Sequence, residues 1–448
     1  MIIFTPIMTS RQKEIIELVH REVKPALGCT EPIAVALAVS KAVEILGGRC
    51  TPCVAECPLW RQTAGFSVDV EVSGNILKNG MGVGIPGTGM VGLPVAAALG
   101  AVCGDSSLGL EVLHSVNDPA VAAAKALLPK VQVRLADTEK KLYVKAAVTI
   151  KIKDHSDSAV AVVADDHDKI VETSFDGEML SHADEGTKAK EKDTLDYHLS
   201  VKEIVEFANT VDNQDIEFIL DDRKYNWALC EEGLHGDYGL KVGKTIRQNQ
   251  KQVFGDDFMS FAMGVTAAAS DARMAGCTLA AMSNSGSGNQ GITVSMPVIA
   301  YAKRYNVPDE KLARALILSN LVAIHIKGYL GRLSALCGCV VASTGSSCGI
   351  VWLEGGGYEQ ICYAIKNMIG NITGMVCDGA KVGCAMKVAS GTCSSIQSAV
   401  LALDGISADE TNGIIDRDIE KTIRNLGEIG SIGMQSTDNM ILRIMSCK

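Results

Sequence analysis

The chain has no excess of basic residues. Its 448 residues include 42 Lys and Arg against 52 Asp and Glu, which gives a net charge of −10. A protein that neutralises phosphates needs surplus positive charge, so this balance excludes nucleic acid as the expected partner. Charged residues make up only 21% of the chain and apolar residues 47%, a composition that excludes disorder and fibrous repeats. We expect a globular protein that acts on a small molecule.

The first residues, MIIFTPIMTSRQKEII, lack the basic region and the long apolar run of a secretory signal peptide. The cytoplasm is therefore the expected compartment. In a reducing compartment the 15 cysteines, odd in number and irregular in spacing, do not predict a disulfide framework. Most are expected to be buried thiols, and a few to be ligands or nucleophiles.

Charge is missing altogether from three long segments, residues 79–104, 274–302 and 333–353. Each is long enough to span a membrane. Their glycines, prolines and polar runs such as SNSGSGNQ and ASTGSS need hydrogen-bond partners that lipid cannot supply. We expect no membrane association and interpret the segments as uncharged walls of the protein interior.

Several common site signatures are also absent or incomplete. GTGMVG (87–92) has the form G-x-G-x-x-G, but it follows a glycine-broken segment instead of a hydrophobic strand, which favours a glycine-rich loop that lines an interior site over a nucleotide site. The eight histidines show no metal-binding spacing, and His325 in LVAIHIKGYL is expected to be a core histidine. CTPCVAEC, with Cys50, Cys53 and Cys57, has no fourth ligand nearby and predicts buried structural thiols.

The order of the predicted elements indicates an α+β fold in two parts. SRQKEIIELVHREVK predicts a capped amphipathic helix, and a second helix is predicted after GCTEP. FSVDVEVS, LYVKAAVTIKIK and AVAVVA predict strands, whereas the periodic segments after residue 198 predict helices and no alternating strand. The polar stretch 174–198 separates the two parts. We therefore expect an α/β domain at 1–190 and a mostly helical catalytic domain at 191–448.

Two cysteine-bearing segments with small residues lie in the helical part, LSALCGCVVASTGSSCG and MVCDGAKVGCAMKVASGTC. Small residues let the backbone approach an inorganic centre and direct N–H groups at its sulfur atoms. The residues alone leave two interpretations open, thiolate ligands of an iron–sulfur cluster or small core fillers in a helix bundle. The cysteines concerned are Cys337, Cys339, Cys348, Cys377, Cys384 and Cys393.

SNSGSGNQGITVSMP (283–297) is a polar, glycine-rich loop that leads into a predicted helix inside an uncharged stretch. Its free N–H groups and hydroxyls are suited to binding a carboxylate. Burying so many polar groups without partners would be costly, which favours a ligand site.

These motifs together resemble a known family. GRLSALCGCVVAS and MVCDGAKVGC are similar to the two cluster segments of iron–sulfur L-serine dehydratases, and SNSGSGNQGITVSMP is similar to their Asn/Gly-rich loop. ALGCTEPIAVALA and KNGMGVGIPGTG resemble more closely the L-cysteine desulfidases, a branch of serine dehydratase alpha-subunit-like proteins. The resemblance covers nearly the whole chain in one order.

The resemblance implies a [4Fe-4S] cluster that three cysteines hold, with one iron open to the substrate. Cys339, Cys377 and Cys384 match the ligand positions, and Cys337 competes with Cys339 for the first of them. The chain departs from the serine enzymes where GCTEP replaces their Ser/His-rich motif and KNGMGVG replaces a glycine motif that contains a histidine. The domains would then correspond to the beta and alpha parts of a serine dehydratase.

The chemistry implied is β-elimination, which converts L-cysteine to pyruvate, ammonia and sulfide, with L-serine as the alternative substrate. Cys29, just before a predicted helix start, is the hypothetical base, and its alternatives are a fourth ligand or a buried thiol. The catalytic candidates are Cys29 and Glu31. The candidates for binding the amino-acid substrate are Thr30, Ser283, Asn284, Ser285, Gly286, Asn289 and Gln290.

Three alternatives remain at this point. The chain could bind an amino acid as a sensor without turnover, or use pyridoxal phosphate with Lys381 or Lys387 as the Schiff-base lysine. Cys447, next to the end of the chain, could fold back onto an open iron, although a frayed tail thiol is the expected interpretation. The sequence allows a homodimer but does not determine the oligomeric state.

Overall fold

The structure is a computed structural model that describes residues 8–49, 65–152, 155–182, 198–248, 252–331 and 334–447. It has the expected α+β fold, with a sheet in the first half and packed helices in the second. The segment with Cys50, Cys53 and Cys57 lies outside the described residues.

The predicted helices and strands of the first half are confirmed. Helix α1, Ser10–Glu22, begins at a capping box formed by Thr9 and Gln12. Short strand β1, Pro25–Leu27, leads into helix α2, Thr30–Arg49. The other α-helices in the described residues of this half are α3 (Gly74–Gly80), α4 (Leu93–Cys103) and α5 (Asp118–Leu127).

A six-stranded mixed sheet forms the frame of this half, with spatial order β3-β2-β4-β5-β6-β7. β2 runs parallel to β3, and the other neighbouring pairs are antiparallel. FSVDVEV alternates as predicted, because its apolar residues are buried while the residues between them are partly exposed. The strands are β2 (Phe66–Val72), β3 (Val131–Leu135), β4 (Tyr143–Ile152), β5 (His155–Ala164), β6 (Ile170–Phe175) and β7 (Glu178–His182).

The second half is a helical assembly around α12 and α13, which are buried along most of their length. Burial of the apolar side chains of these helices supplies much of its core. The helices are α6 (Val201–Thr210), α7 (Asn213–Ile216), α8 (Asp221–His235), α9 (Val242–Gln248), α10 (Phe258–Met274), α11 (Gly288–Tyr305), α12 (Asp309–Leu330), α13 (Gly338–Leu353), α14 (Tyr358–Ile372), α15 (Cys384–Leu403), α16 (Ile419–Glu428) and α17 (Gln435–Ser446).

The N-terminal segment belongs physically to both halves. Ile15, Leu18 and Val19 of α1 pack into the helical core, whereas α2 packs against β4 and β5 of the sheet. Between them, β1 pairs antiparallel with a short strand β8, Ala280–Met282. The expectation of no strand in the helical half is therefore wrong at β8, whose partner lies more than 250 residues away and leaves no local signal.

No helix in the described part of the chain is both long and apolar enough to cross a lipid bilayer. The three uncharged segments instead supply α4, α11 and α13, all of them largely buried in the protein.

Candidate active site

One cavity at the junction of the two halves gathers most of the residues predicted from the sequence. Its volume is about 120 Å³. Pockets for nucleotide-sized or drug-sized ligands usually measure about 300–1,000 Å³, so this cavity suits a smaller solute. The predicted residues that line it are Cys29, Thr30, Glu31, Ser285, Gly286, Asn289, Gln290, Cys337, Cys339, Cys377 and Cys384.

Four helix N-termini meet at this cavity. They belong to α2, α11, α13 and α15, which begin at Thr30, Gly288, Gly338 and Cys384. Each N-terminus carries unpaired N–H groups and a partial positive charge. Their convergence favours anionic groups in the cavity, either thiolates or a carboxylate.

We use "thiol wall" for the side of the cavity formed by Cys337, Cys339, Cys377 and Cys384. A short antiparallel ladder positions it, in which Leu336 pairs with Val376. The N–H of Cys337 donates to the Met375 carbonyl at 3.0 Å, and the N–H of Cys377 donates to the Ala335 carbonyl at 2.7 Å. Since side chains alternate along paired strands, Cys337 and Cys377 lie on the same face of the ladder.

The thiols of this wall influence each other's ionisation. A hydrogen bond from Cys339 lowers the pKa of Cys337 to about 7, despite burial. The same hydrogen bond, with burial, raises the pKa of Cys339. Burial also raises the pKa of Cys377 and Cys384, while backbone N–H groups of Gly379 and Lys381 act in the opposite direction. Backbone donors directed at cysteine sulfur are typical of iron–sulfur sites.

The loop between Cys377 and Cys384 is held in place by ion pairs and by one glycine. Lys381 and Lys387 both contact the Asp378 carboxylate at 2.5 Å. Gly379 has φ +90°, and a Cβ there would overlap the carbonyl oxygen of Lys78. Burial lowers the pKa of Lys387, but the hydrogen bond to Asp378 and the charges of Asp378 and the nearby thiols together outweigh it, so the pKa is raised overall. A charged, ion-paired lysine is a poor Schiff-base nucleophile, which disfavours the pyridoxal phosphate alternative.

We use "acid wall" for Cys29, Glu31 and Asn79, which line the same cavity. The Cys29 thiol donates to Oε2 of Glu31 at 2.9 Å, and Nδ2 of Asn79 donates to Oε1 at 3.1 Å. Burial and the Glu31 charge raise the pKa of Cys29 well above its ordinary value. Burial raises the pKa of Glu31, but the charge of His167 and the hydrogen bond from Cys29 outweigh it, so the pKa falls overall. The pair therefore holds a thiol and a carboxylate at neutral pH.

The loop before α11 meets the acid wall through Thr30, whose hydroxyl donates to the Gly286 carbonyl at 3.1 Å. Ser283 does not line the cavity, because its hydroxyl donates to the Lys24 carbonyl at 2.6 Å. Asn284 lies behind the cavity, where it accepts a hydrogen bond from Gln290.

The structure adds lining residues that the sequence interpretation missed, Asn79, His167, Arg273 and Lys327. Arg273 is 3% exposed, and no carboxylate among the described residues lies within ion-pairing distance of it. A buried cation is costly without an anionic partner. Its position in the otherwise apolar helix FMSFAMGVTAAASDARMAG was the available signal. His167 comes from the turn between β5 and β6, which has no sequence signal for a site.

The wall residues fit a cluster better than a single ion. Within the described ranges, no three Cys, His, Asp or Glu side chains are grouped closely enough to hold one metal ion. In a cluster each thiolate binds a different iron, so the sulfur ligands stand farther apart. Four thiols, two of them buried and two partly buried, match the chemistry of such a donor set together with backbone N–H donors and nearby lysines.

Three other sequence predictions concern residues outside the cavity. His325 is 4% exposed, and its Nε2 lies 2.7 Å from Glu420, as expected for a core histidine with a partner. Cys447 is exposed at the end of α17, which agrees with a surface thiol. The GTGMVG loop forms a tight turn, with Ile85 and Met90 hydrogen-bonded across it. It does not line this cavity, contrary to the prediction from the sequence.

Several known proteins are similar in sequence to this chain. A family model described as "Serine dehydratase alpha chain" matches residues 107–443. A UPF0597 protein of Oleidesulfovibrio alaskensis is 48% identical over 436 residues, which is 97% of each chain. UPF0597 proteins of Phocaeicola vulgatus and Aeromonas hydrophila are 45% and 44% identical, each over 98% of both chains.

Proposed function

Because this chain belongs to the serine dehydratase alpha chain family, we propose that it is an iron–sulfur-dependent lyase that removes the β-substituent of a small L-amino acid, with L-cysteine as its substrate. The observation that carries the proposal is one cavity lined both by four thiols and by a hydrogen-bonded Cys29–Glu31 pair. Family membership supports the dehydratase type of reaction, while the cysteine substrate and the cluster are the finer part of the proposal.

Cys337, Cys377 and Cys384 would hold a [4Fe-4S] cluster. The shared ladder face and the lowered pKa support Cys337 as the first ligand ahead of Cys339, the choice made from the sequence. Cys339 would then donate a hydrogen bond to the ligand sulfur, a contact that tunes such centres. When bound, the cluster would supply an open iron that acts as a Lewis acid on the leaving group.

Arg273 and the helix N-termini would bind the substrate carboxylate. Arg273 is already oriented, because its Nη2 donates to the Gly28 carbonyl at 2.8 Å and its Nη1 to Asn289 at 3.2 Å. Its buried Nε has no partner among the described residues. A substrate carboxylate would supply an anion in direct contact with Arg273, through the charge-assisted hydrogen bonds that guanidinium groups form.

The acid wall would remove the α-proton of the substrate. The Cys29 thiol passes its proton to Glu31 across their 2.9 Å hydrogen bond, and the resulting thiolate takes the α-proton of the substrate. The electron pair of the Cα–H bond forms the Cα=Cβ bond as the β-sulfur leaves as HS⁻. Protonated Glu31 then returns its proton to HS⁻, which leaves as hydrogen sulfide, and water hydrolyses the enamine to pyruvate and ammonia.

L-Serine is the second candidate substrate, because the family description names serine. L-Cysteine is favoured because thiolates bind iron strongly and because a thiol stands where the serine enzymes have their Ser/His-rich motif. A cluster with an open iron needs a reducing compartment, in keeping with the cytoplasm.

The test is anaerobic reconstitution with iron and sulfide, followed by assay of pyruvate and sulfide from L-cysteine, with L-serine in parallel. We expect iron-dependent sulfide release that Cys377→Ala abolishes. Cys348→Ala is the matched control, since Cys348 is a fully buried thiol that does not line the cavity. Pyruvate from L-serine alone would make the protein a serine dehydratase. Amino-acid binding without turnover would instead indicate a sensor.

A further inference from the structure

A chain of buried polar side chains leads from the cavity into the helical core. It joins Asp222 of α8, Asn320 of α12, Asn284 of the polar loop and Gln290 of α11. Each of the four is at most 1% exposed. Nδ2 of Asn320 donates to Oδ2 of Asp222 at 2.9 Å. Nδ2 of Asn284 donates to Oδ1 of Asn320 at 2.8 Å, and Nε2 of Gln290 donates to Oδ1 of Asn284 at 2.8 Å.

The direction of this chain is set at its inner end. An amide donates only through its nitrogen and accepts only through its oxygen. Since Oδ2 of Asp222 and the carbonyl of Leu316 both accept from Nδ2 of Asn320, at 2.9 Å each, Asn320 turns its nitrogen toward them and its oxygen toward Asn284. The same constraint passes to Asn284 and then to Gln290, whose nitrogen points inward. Oε1 of Gln290 is therefore left for the cavity.

Two amide oxygens of the cavity lining lack a donor. Oε1 of Gln290 and Oδ1 of Asn79 are buried and have no hydrogen-bond partner among the described residues. Oε1 of Gln290 would lie 3.2 Å from a Cβ on Gly338, which places it beside the link between Cys337 and Cys339. Asn79 is held by its bond to Glu31. Buried acceptors without partners are rare and costly, so a ligand with several donors would fit them.

We propose that Gln290 and Asn79 bind the α-ammonium group of the substrate through these two oxygens, and that Asp222 is a positioning residue that keeps Gln290 oriented as an acceptor. The inference rests on the proposed function, because it assumes an amino acid in the cavity. An ammonium group offers three donors, whereas a hydroxyl offers one and a methylene none. The site would therefore select amino acids over carboxylates of the same shape that lack nitrogen.

The test compares equilibrium binding of L-alanine and propionate to the anaerobically reconstituted protein by calorimetry. Neither compound has a leaving group at Cβ, so neither can be turned over. The wild type should bind L-alanine at least about tenfold more tightly than propionate, the ratio of affinities that corresponds to one hydrogen bond to a charged group. Gln290→Met, which keeps the length of the side chain but removes the acceptor, should reduce that preference to about a fewfold, since Asn79 remains.

Asp222 is tested by two variants. Asp222→Leu removes one of the two acceptors of Asn320 and should reduce the preference, whereas Asp222→Asn can still accept from Asn320 and should retain it. If Asp222→Leu does not fold, Gln290→Met still decides whether Gln290 binds the ammonium group. Full preference in Gln290→Met or in Asp222→Leu, or a loss of preference in Asp222→Asn, would overturn the inference alone. A wild type that binds neither compound would overturn the proposed function, and this inference with it.

Discussion

The two walls of the cavity shift the pKa of a buried thiol in opposite directions. In the acid wall, burial and the adjacent Glu31 raise the pKa of Cys29. In the thiol wall, Cys337 is also buried, yet the hydrogen bond from Cys339 lowers its pKa to about 7. The neighbours, and not burial itself, decide whether a cysteine keeps its proton. One small cavity thus separates a thiol suited to proton transfer from a thiol suited to metal binding.

The strongest test of that contrast removes single thiols from the thiol wall. We expect Cys337→Ala to lose cluster iron and essentially all lyase activity, because an open cluster with two remaining thiolate ligands is not retained. Cys339→Ala should keep most of its iron. Iron and acid-labile sulfide per chain, measured after anaerobic reconstitution, decide between them. Iron loss in Cys339→Ala with retention in Cys337→Ala would restore the ligand choice made from the sequence.

The Glu31→Gln variant tests the role of the acid wall in proton transfer. Loss of the carboxylate removes the proton acceptor of Cys29, and we expect kcat to fall by about 10²–10⁴-fold, the usual worth of an acid–base group. Iron content should remain at the wild-type value, because the Glu31 carboxylate accepts hydrogen bonds from Cys29, Thr30 and Asn79 and not from a thiol-wall cysteine. Steady-state kinetics together with iron analysis check this prediction. A variant that loses iron in proportion to activity would contradict the separation of roles.

The contrast also shows which features local sequence could predict. The cap at Thr9, the alternating strand FSVDVEV and both cysteine segments follow from local patterns, and the structure confirms the helix and the strand. The acid wall could be predicted only in part. Glu31 follows Cys29 closely, but Asn79 and His167 reach the cavity from α3 and from the β5–β6 turn through long-range packing. Such packing depends on the sheet topology and leaves no trace in residue spacing.

Gly379→Ala tests the contact between the thiol-wall loop and α3, the helix that carries Asn79. Its positive φ and the close approach of the Lys78 carbonyl predict a loss of about 1–3 kcal/mol in the free energy of unfolding. Gly374→Ala is the matched control, because a Cβ there meets no atom within 4 Å. Chemical denaturation of both variants measures the difference. Equal stabilities would show that the two walls do not depend on this contact.

Of the variants considered, Asp222→Asn should produce the smallest change, which concerns how the free energy of unfolding depends on pH. Burial raises the pKa of Asp222 to about 7, although the hydrogen bond from Asn320 opposes the rise. The folded state then keeps a proton that the unfolded state has already released, so stability falls as pH rises toward that value. Between pH 6 and pH 8 the wild type should lose about 1.4 kcal/mol more than Asp222→Asn. Denaturation curves at the two pH values check this, and parallel behaviour of the two proteins would contradict it.

The most direct test of the central claim is the Mössbauer spectrum of protein reconstituted with ⁵⁷Fe, recorded before and after addition of L-cysteine. Three protein thiolates leave one iron of a [4Fe-4S] cluster without a cysteine ligand. We predict one iron site distinct from the other three, with parameters that change when L-cysteine is added. Four equivalent irons that do not respond to L-cysteine, or a protein that takes up no cluster, would contradict the account.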